Sequence, residues 1–198
     1  MLRVNRILCN ILATALEFAT PAVATSDFVQ LASATAAGTA TSVSFDGYFS
    51  STYTVYLITA SSVYSSAVAN LNYRYMRSGS EVTSANHRQL ANNLYGTGGA
   101  TDHQTLSTNT SFELALGGTL ISTPTTSASF QLFLHDPLAT DNYKTTNFQG
   151  FFQRDNSSLD YLITSFCQLR DNANALSGIK IYFSAGNIYG KFKLYGLK

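Results

Sequence analysis

The sequence predicts an all-β protein, an antiparallel β-sandwich of the jelly-roll type that carries a short N-terminal helical arm. The chain of 198 residues contains 13 Phe and 12 Tyr, which favour strands, whereas only 12% of its residues are charged. After residue 26, segments that alternate apolar and polar side chains recur, and clusters of Gly, Asn and Ser separate them. The length fits one sizeable core. We therefore predict a helical arm at residues 1–25 and one sandwich domain at residues 26–198.

The arm is predicted from a heptad-like spacing of apolar residues that ends before Pro21. Its apolar stripe consists of Val4, Ile7, Leu8, Ile11, Leu12, Ala15 and Phe18. So short a helix is marginal alone in water, so we expect the stripe to pack on a sister subunit or another protein. Packing on its own β-domain is the simpler alternative. The segment also resembles a signal peptide, but polar residues interrupt its apolar stretch, and it is too short to span a bilayer.

The strands of the sandwich are predicted from period-two alternation. The segment at 53–60 is partly apolar on both faces, which predicts a central strand. Strand patterns occur at residues 41–45, 53–60, 71–77, 110–116, 127–135, 147–153, 159–169, 179–184 and 188–195. With Gly, Asn and Ser turns between them, these segments are typical of an antiparallel sandwich.

The segment IKIYFSAGNIYGKFKLYG, at residues 179–196, has the sharpest alternation in the chain. Two apolar runs flank Gly186 and Asn187, and both of these residue types tolerate positive φ. We predict a tight hairpin whose Ile, Phe and Leu side chains face the core and whose Lys and Tyr side chains face outward.

Residues 78–108 interrupt the alternation with Gly, Asn and Ser clusters, and a short helical turn near 84–94 fits part of the segment. A connection this long is typically functional or mobile. We therefore predict an irregular loop at 78–108 that is a candidate for contact with a partner molecule, and the loop at 136–146 is a second candidate. The candidate contact residues are Asn86, His87, Asn93, Tyr95 and His103.

The sequence indicates no catalytic residue, no metal site and no cofactor. His87, His103 and His135 are not spaced as metal ligands, and the glycines at 95–100 lack the pattern of a phosphate-binding loop. No Gly-x-Ser-x-Gly motif is present, and the acidic residues are scattered. Cys9 and Cys167 are interpreted as two free, buried thiols.

Charge and surface composition limit the partners. A net charge of +1 disfavours non-specific binding to nucleic acid. A surface rich in Tyr and poor in charge is able to bind sugar rings or another protein, although core or subunit packing explains most strand tyrosines.

The final segment, SGIKIYFSAGNIYGKFKLYGLK at 177–198, resembles the C-terminal ending of a group of small structural proteins from tailed bacteriophages. Three earlier segments are also similar to that group. They are VSFDGYFSSTYTVYLI at 43–58, YRYMRSGS at 73–80, and residues 135–144, which begin with HDP and end with YK. Together the resemblance spans residues 27–198, so the predicted arm lies outside it.

The resemblance implies a non-enzymatic virion protein, a β-sandwich displayed in a tail fibre or adhesin and involved in assembly or host attachment. A capsid decoration protein is the alternative position in the particle. Either position implies a homo-oligomer, a trimer in our prediction, that contacts other virion proteins and, in a tail, a host cell-surface glycan. Two rival classes remain open, a carbohydrate-active enzyme, which needs two carboxylates in one cleft, and a secreted lectin.

Overall fold

The protein folds as two antiparallel β-sheets that pack face to face, which confirms the all-β class and the sandwich. The structure is a computed structural model that describes residues 27–95, 101–114, 123–153, 160–171 and 174–198. The predicted arm at 1–25, with its stripe from Val4 to Phe18, lies outside the described residues, as does Cys9. Its packing on a sister subunit or another protein therefore stays a prediction.

The larger sheet contains eight strands in the order β1-β13-β3-β9-β10-β11-β6-β7. These strands are β1 (Phe28–Ala37), β3 (Val55–Ser65), β6 (His87–Tyr95), β7 (Thr101–Asn109), β9 (Ala128–His135), β10 (Lys144–Gln153), β11 (Asp160–Leu169) and β13 (Ile188–Leu197). Strand β3 is paired on both sides, which confirms its predicted central position.

The smaller sheet has the order β2-β12-β4-β5, and a further short strand, β8, also pairs with β4. Its strands are β2 (Ser42–Asp46), β4 (Leu71–Arg77), β5 (Ser80–Glu81), β8 (Phe112–Glu113) and β12 (Gly178–Phe183). A 3₁₀ turn at Pro124–Thr126 precedes β9.

The core lies between the two sheets because alternate residues of each strand face inward. Strand β9 shows the rule, since Phe130, Leu132 and Leu134 are buried while the residues between them are more exposed. From the smaller sheet, Ile179 and Ile181 meet this layer and are fully buried. Several large strand aromatics, among them Tyr56, Tyr73 and Phe192, also lie inside.

The predicted hairpin at 179–196 is wrong, because its two strands belong to different sheets. Strand β12 pairs with β2 and β4, whereas β13 pairs with β1 and β3. The predicted faces are nevertheless right, since the Ile and Phe side chains of both strands are buried. A period of two reports which face of a strand is buried, and that face is inward in either sheet.

The connection between β12 and β13 therefore crosses from one sheet to the other, and it is tied to the β3–β4 connection, which crosses at the same end. Ser65 Oγ donates to the carbonyl of Ala185 at 2.8 Å, and Asn187 N donates to Ser66 Oγ at 2.8 Å. Gly186 has φ of 76°, which supports the sequence-based expectation of a positive φ there. The β1–β2 connection joins them, since Asn187 Nδ2 donates to the carbonyl of Gly38 at 2.7 Å.

The predicted irregular segment at 78–108 is also wrong for most of its length. Strands β6 and β7 occupy residues 87–95 and 101–109 and pair as an antiparallel hairpin at the edge of the larger sheet. Their amide and hydroxyl side chains hide the alternation that apolar residues would have shown, because the inward positions of β6 include His87, Gln89 and Asn93.

A buried polar cluster joins β6, β10 and β11 to the smaller sheet. Tyr73 and Thr146 hydroxyls lie 2.5 Å apart, and Gln89 pairs with the backbone of Glu113 through both of its amide atoms, at 2.5 and 3.0 Å. Cys167 lies beside this cluster as a buried free thiol, as predicted. Burial raises the pKa of Cys167, so the thiol form dominates in the folded protein.

Candidate contact face

The outward side of β6, β10 and β11 is the surface best suited to contact another molecule. Because side chains alternate along each strand, every second residue of these strands points away from the core. We call this surface the β6–β10–β11 face, and it consists of Arg88, Leu90, Asn92, Leu94, Thr145, Asn147, Gln149, Phe151, Leu162, Thr164, Phe166 and Gln168.

The pairing register arranges these side chains in four rows across the strands. The rows are Thr145–Gln168–Arg88, Asn147–Phe166–Leu90, Gln149–Thr164–Asn92 and Phe151–Leu162–Leu94. Two rows carry apolar groups, and they alternate with rows of amides, hydroxyls and one guanidinium. Directly opposed side chains on one face of a sheet lie about 5 Å apart, so each row is a continuous strip.

Several large apolar side chains on this face are exposed to solvent. Leu90, Leu94, Phe151 and Phe166 have relative exposures of 57%, 46%, 50% and 62%. They are half of the large apolar residues that are exposed in the described ranges. Clustered exposed apolar groups mark contact sites more reliably than scattered ones.

Arg88 is the one charged residue of the β6–β10–β11 face, and Arg170 follows directly after β11. The backbone N–H of Arg170 donates to the carbonyl of Asn86 at 3.0 Å, which extends the β11–β6 pairing by one step. Its side chain donates from Nε to Gln168 Oε1 at 3.1 Å. The guanidinium also lies 5.8 Å from the ring centre of Tyr143.

The acidic groups that form ion pairs do not belong to the β6–β10–β11 face. Glu81 accepts from Arg74 Nη1 at 2.7 Å and from Lys180 Nζ, and these bonds lower its pKa. Arg77 Nη2 donates to Asp171 Oδ2 at 2.8 Å. These pairs join strands of the smaller sheet or tie it to the end of β11.

The predicted contact residues are placed differently from one another. Asn86 is exposed, immediately before β6, whereas His87 and Asn93 face the core with 1% and 0% exposure. Their side chains are therefore not available to a partner at the surface. Tyr95 and His103 lie in β6 and β7 at the backbone level, and their side chains lie outside the described part of the structure.

The side chain of His87 packs inside the sandwich and bonds to the backbone. Its Nδ1 lies 2.9 Å from the carbonyl of Ser84 and 3.0 Å from that of Asn109, so Nδ1 carries the proton. Its ring meets Phe112 edge to face with 4.6 Å between ring centres. Burial lowers the pKa of His87, so the neutral ring fixes the start of the β6–β7 hairpin.

Within the described ranges, no three His, Cys, Asp or Glu side chains come together as ligands for a metal ion. The same ranges contain no helix that is both long and apolar enough to cross a membrane. Comparison of the chain with protein-family models, with curated proteins and with solved structures gave no match. The function must therefore be inferred from the surface itself.

The sequence contains a signal for the β6–β10–β11 face that the strand predictions did not use. In HRQLANNLY, Leu90 and Leu94 alternate with the polar Arg88 and Asn92 on the outward side, while the inward side carries the polar Gln89 and Asn93 with the small Ala91 between them. The segment around β11 is apolar on both faces, with Phe166 outward and Ile163 inward. A strand that stays apolar on its outer face while lying in the larger sheet indicates a contact surface.

Proposed function

We propose that this chain is a non-enzymatic structural protein of a bacteriophage particle, displayed in a tail appendage as a homotrimer, that attaches to the host through its β6–β10–β11 face. The observation that carries the attachment role is the group of exposed apolar side chains on three adjacent strands, with Leu90 and Leu94 on β6, Phe166 on β11 and Phe151 on β10. The resemblance of residues 177–198 to phage structural proteins supports the location in a virion.

A rigid sheet suits attachment, because a surface held by strand pairing loses little conformational entropy when it binds. The apolar groups supply contact area, and the amide rows between them supply hydrogen bonds that orient the partner. On the core side of the larger sheet, buried hydrogen bonds link it to the smaller sheet. They join Thr146 to Tyr73 and Gln89 to the backbone of Glu113. The face is thus presented by paired strands that buried hydrogen bonds link to the smaller sheet.

The location is tested by immunoelectron microscopy of purified particles with an antibody against the sandwich. We expect labelled tail appendages at a copy number that fits three-fold symmetry. Label on the head would instead indicate a capsid decoration protein, and absence from particles would refute the virion role.

The attachment surface is tested with paired variants. Leu90→Ser with Phe166→Ser removes the two most exposed apolar groups of this face, and Tyr48→Ser with Val68→Ser removes two exposed apolar groups elsewhere, at 42% and 51% exposure. We expect the first pair to reduce adsorption to host cells at least tenfold and the second to leave it within twofold. Equal effects of the two pairs would refute the role of this face.

A further inference from the structure

One end of the β6–β10–β11 face forms a shallow cleft of about 510 Å³. Strands β6, β7, β10 and β11 line it together with Arg170. The residues that matter for recognition are Arg88, Asn147, Phe166, Gln168 and Arg170. Since they come from paired strands or their direct extension, their backbone positions are fixed relative to one another.

The described residues that line the cleft give it a positive charge. Among them Arg88 and Arg170 are charged, and none is Asp or Glu. Arg88 is in register with Gln168, and Arg170 lies two residues beyond Gln168 on the same side, so the two arginines are diagonal neighbours. Among the described residues, the ion pairs of the chain use other basic side chains. A guanidinium pair of this kind fits a carboxylate, which each arginine can bind with two parallel hydrogen bonds.

The other lining residues that the structure describes are neutral and suit a ligand rich in hydroxyl groups. Phe166 exposes 62% of its surface, so one side of its ring is free to stack on the apolar side of a sugar ring. Asn147 lies next to it in register, and Thr145 and Gln168 lie in the adjacent row. Amides and hydroxyls both donate and accept hydrogen bonds, as sugar hydroxyls do.

A nucleic acid fits this cleft less well. Binding to a polyanionic backbone uses many basic contacts, whereas the cleft offers two arginines in a chain of net charge +1. The balance of two cations, one ring and several amides instead matches a single acidic sugar with its neutral neighbours.

We propose that the cleft binds an acidic saccharide, with a sugar ring on Phe166, hydroxyl groups on Asn147 and Gln168, and a carboxylate between Arg88 and Arg170. This inference rests on the proposed attachment role and names the ligand class of the same face. The exposed Asn86, whose carbonyl holds the backbone of Arg170, lies at the edge of this cleft.

The test measures binding of the full chain to immobilised oligosaccharides that contain uronic or sialic acid. Each oligosaccharide is compared with its own methyl ester, in which the carboxylate charge is removed. The cleft variant is Arg88→Gln with Arg170→Gln. The matched control is Lys191→Gln with Lys193→Gln, which removes the same charge from exposed positions on β13, outside the cleft. A further variant, Phe166→Ser, removes the stacking surface.

We expect at least one acidic saccharide to bind, its methyl ester to bind at least tenfold more weakly, and the cleft variant to lose affinity by at least tenfold. The Lys191 and Lys193 control should stay within twofold of the original chain, while Phe166→Ser should lose affinity even for the acidic form. Thermal unfolding of each variant checks that the sandwich is intact.

Equal binding of acid and ester, equal losses in the cleft variant and its control, or no binding across the set would each overturn the saccharide site. Host adsorption separates this failure from failure of the attachment role. If Leu90→Ser with Phe166→Ser abolishes adsorption while no saccharide binds, the face attaches to a protein and only the ligand class is wrong.

Discussion

Gly186 provides the sharpest test of how the two sheets are joined. Its φ of 76° lies in the left-handed region, and a Cβ at this position would lie 2.5 Å from Ser65 Oγ and 2.8 Å from the backbone N of Ala67. Neither atom is free to move, because Ser65 Oγ bonds the carbonyl of Ala185 and Ala67 N donates to the same hydroxyl. Gly186→Ala therefore combines backbone strain with a collision inside the crossing.

The magnitude follows from two contributions. A left-handed backbone costs a non-glycine residue about 1–2 kcal/mol. Overpacking a fixed site, with loss of the Ser65 hydrogen bond, adds about 2 kcal/mol. We expect Gly186→Ala to lower the free energy of unfolding by about 3–4 kcal/mol.

Gly79 supplies the matched control. Its φ is 85°, and a Cβ there would meet nothing within 4 Å, so Gly79→Ala has the backbone cost alone, about 1–2 kcal/mol. Urea unfolding of both variants, at unchanged m-value, measures the difference between them. If the two variants lose equal stability, the packing around Gly186 is looser than the contacts describe and the argument fails.

Three further predictions concern titratable groups. Cys167 should resist a thiol reagent in the native protein and react within minutes in denaturant, because it is buried and its pKa is raised. Burial lowers the pKa of His87, so stability should fall as the pH drops from about 6.5 towards that lowered value, and His87→Asn should remove this slope in urea unfolding. Hydrogen bonds from Lys180 and Arg74 lower the pKa of Glu81, so Glu81→Gln should cost about 1 kcal/mol at pH 7 and progressively less as the pH falls below about 4.5.

Each of the three predictions on titratable groups has an outcome that contradicts it. Fast labelling of native Cys167 would mean that the β10–β11 region opens readily. An unchanged acid slope in His87→Asn would assign that slope to the carboxylates instead. A loss of stability in Glu81→Gln that persists at pH 3 would show that the side chain acts through packing rather than charge.

The sequence predicted inward faces well and strand partners poorly. The alternation around Ile179 and Ile188 identifies the buried positions of both strands. This works because every second side chain of a strand faces the core, whichever sheet the strand belongs to. It contains no information on which sheet a strand joins, so the pattern alone does not distinguish a crossing between sheets from a hairpin turn. The positive φ of Gly186 is compatible with a hairpin turn and with a crossing between sheets, because both kinds of connection use glycine in this conformation.

The candidate face was missed for a related reason. Strand β6 places His87 and Gln89 inward, where polar groups are hydrogen-bonded in the cluster with Glu113 and Asn109. Buried polar residues remove the contrast on which alternation depends, so the sequence pattern predicts a loop where the structure has a strand. The outward Leu90 and Phe166 become meaningful only when the register places them side by side.

The position of the last two strands governs how the protein can be made. Strand β13 lies between β1 and β3, and β12 lies between β2 and β4. While a ribosome is still synthesising the chain, β9, β10 and β11 can pair with their neighbours in sequence, but β1 and β2 have no pairing partner. Their exposed edges must wait for the strands that come last, so cells that make this protein face a brief period in which the nascent chain is prone to aggregate.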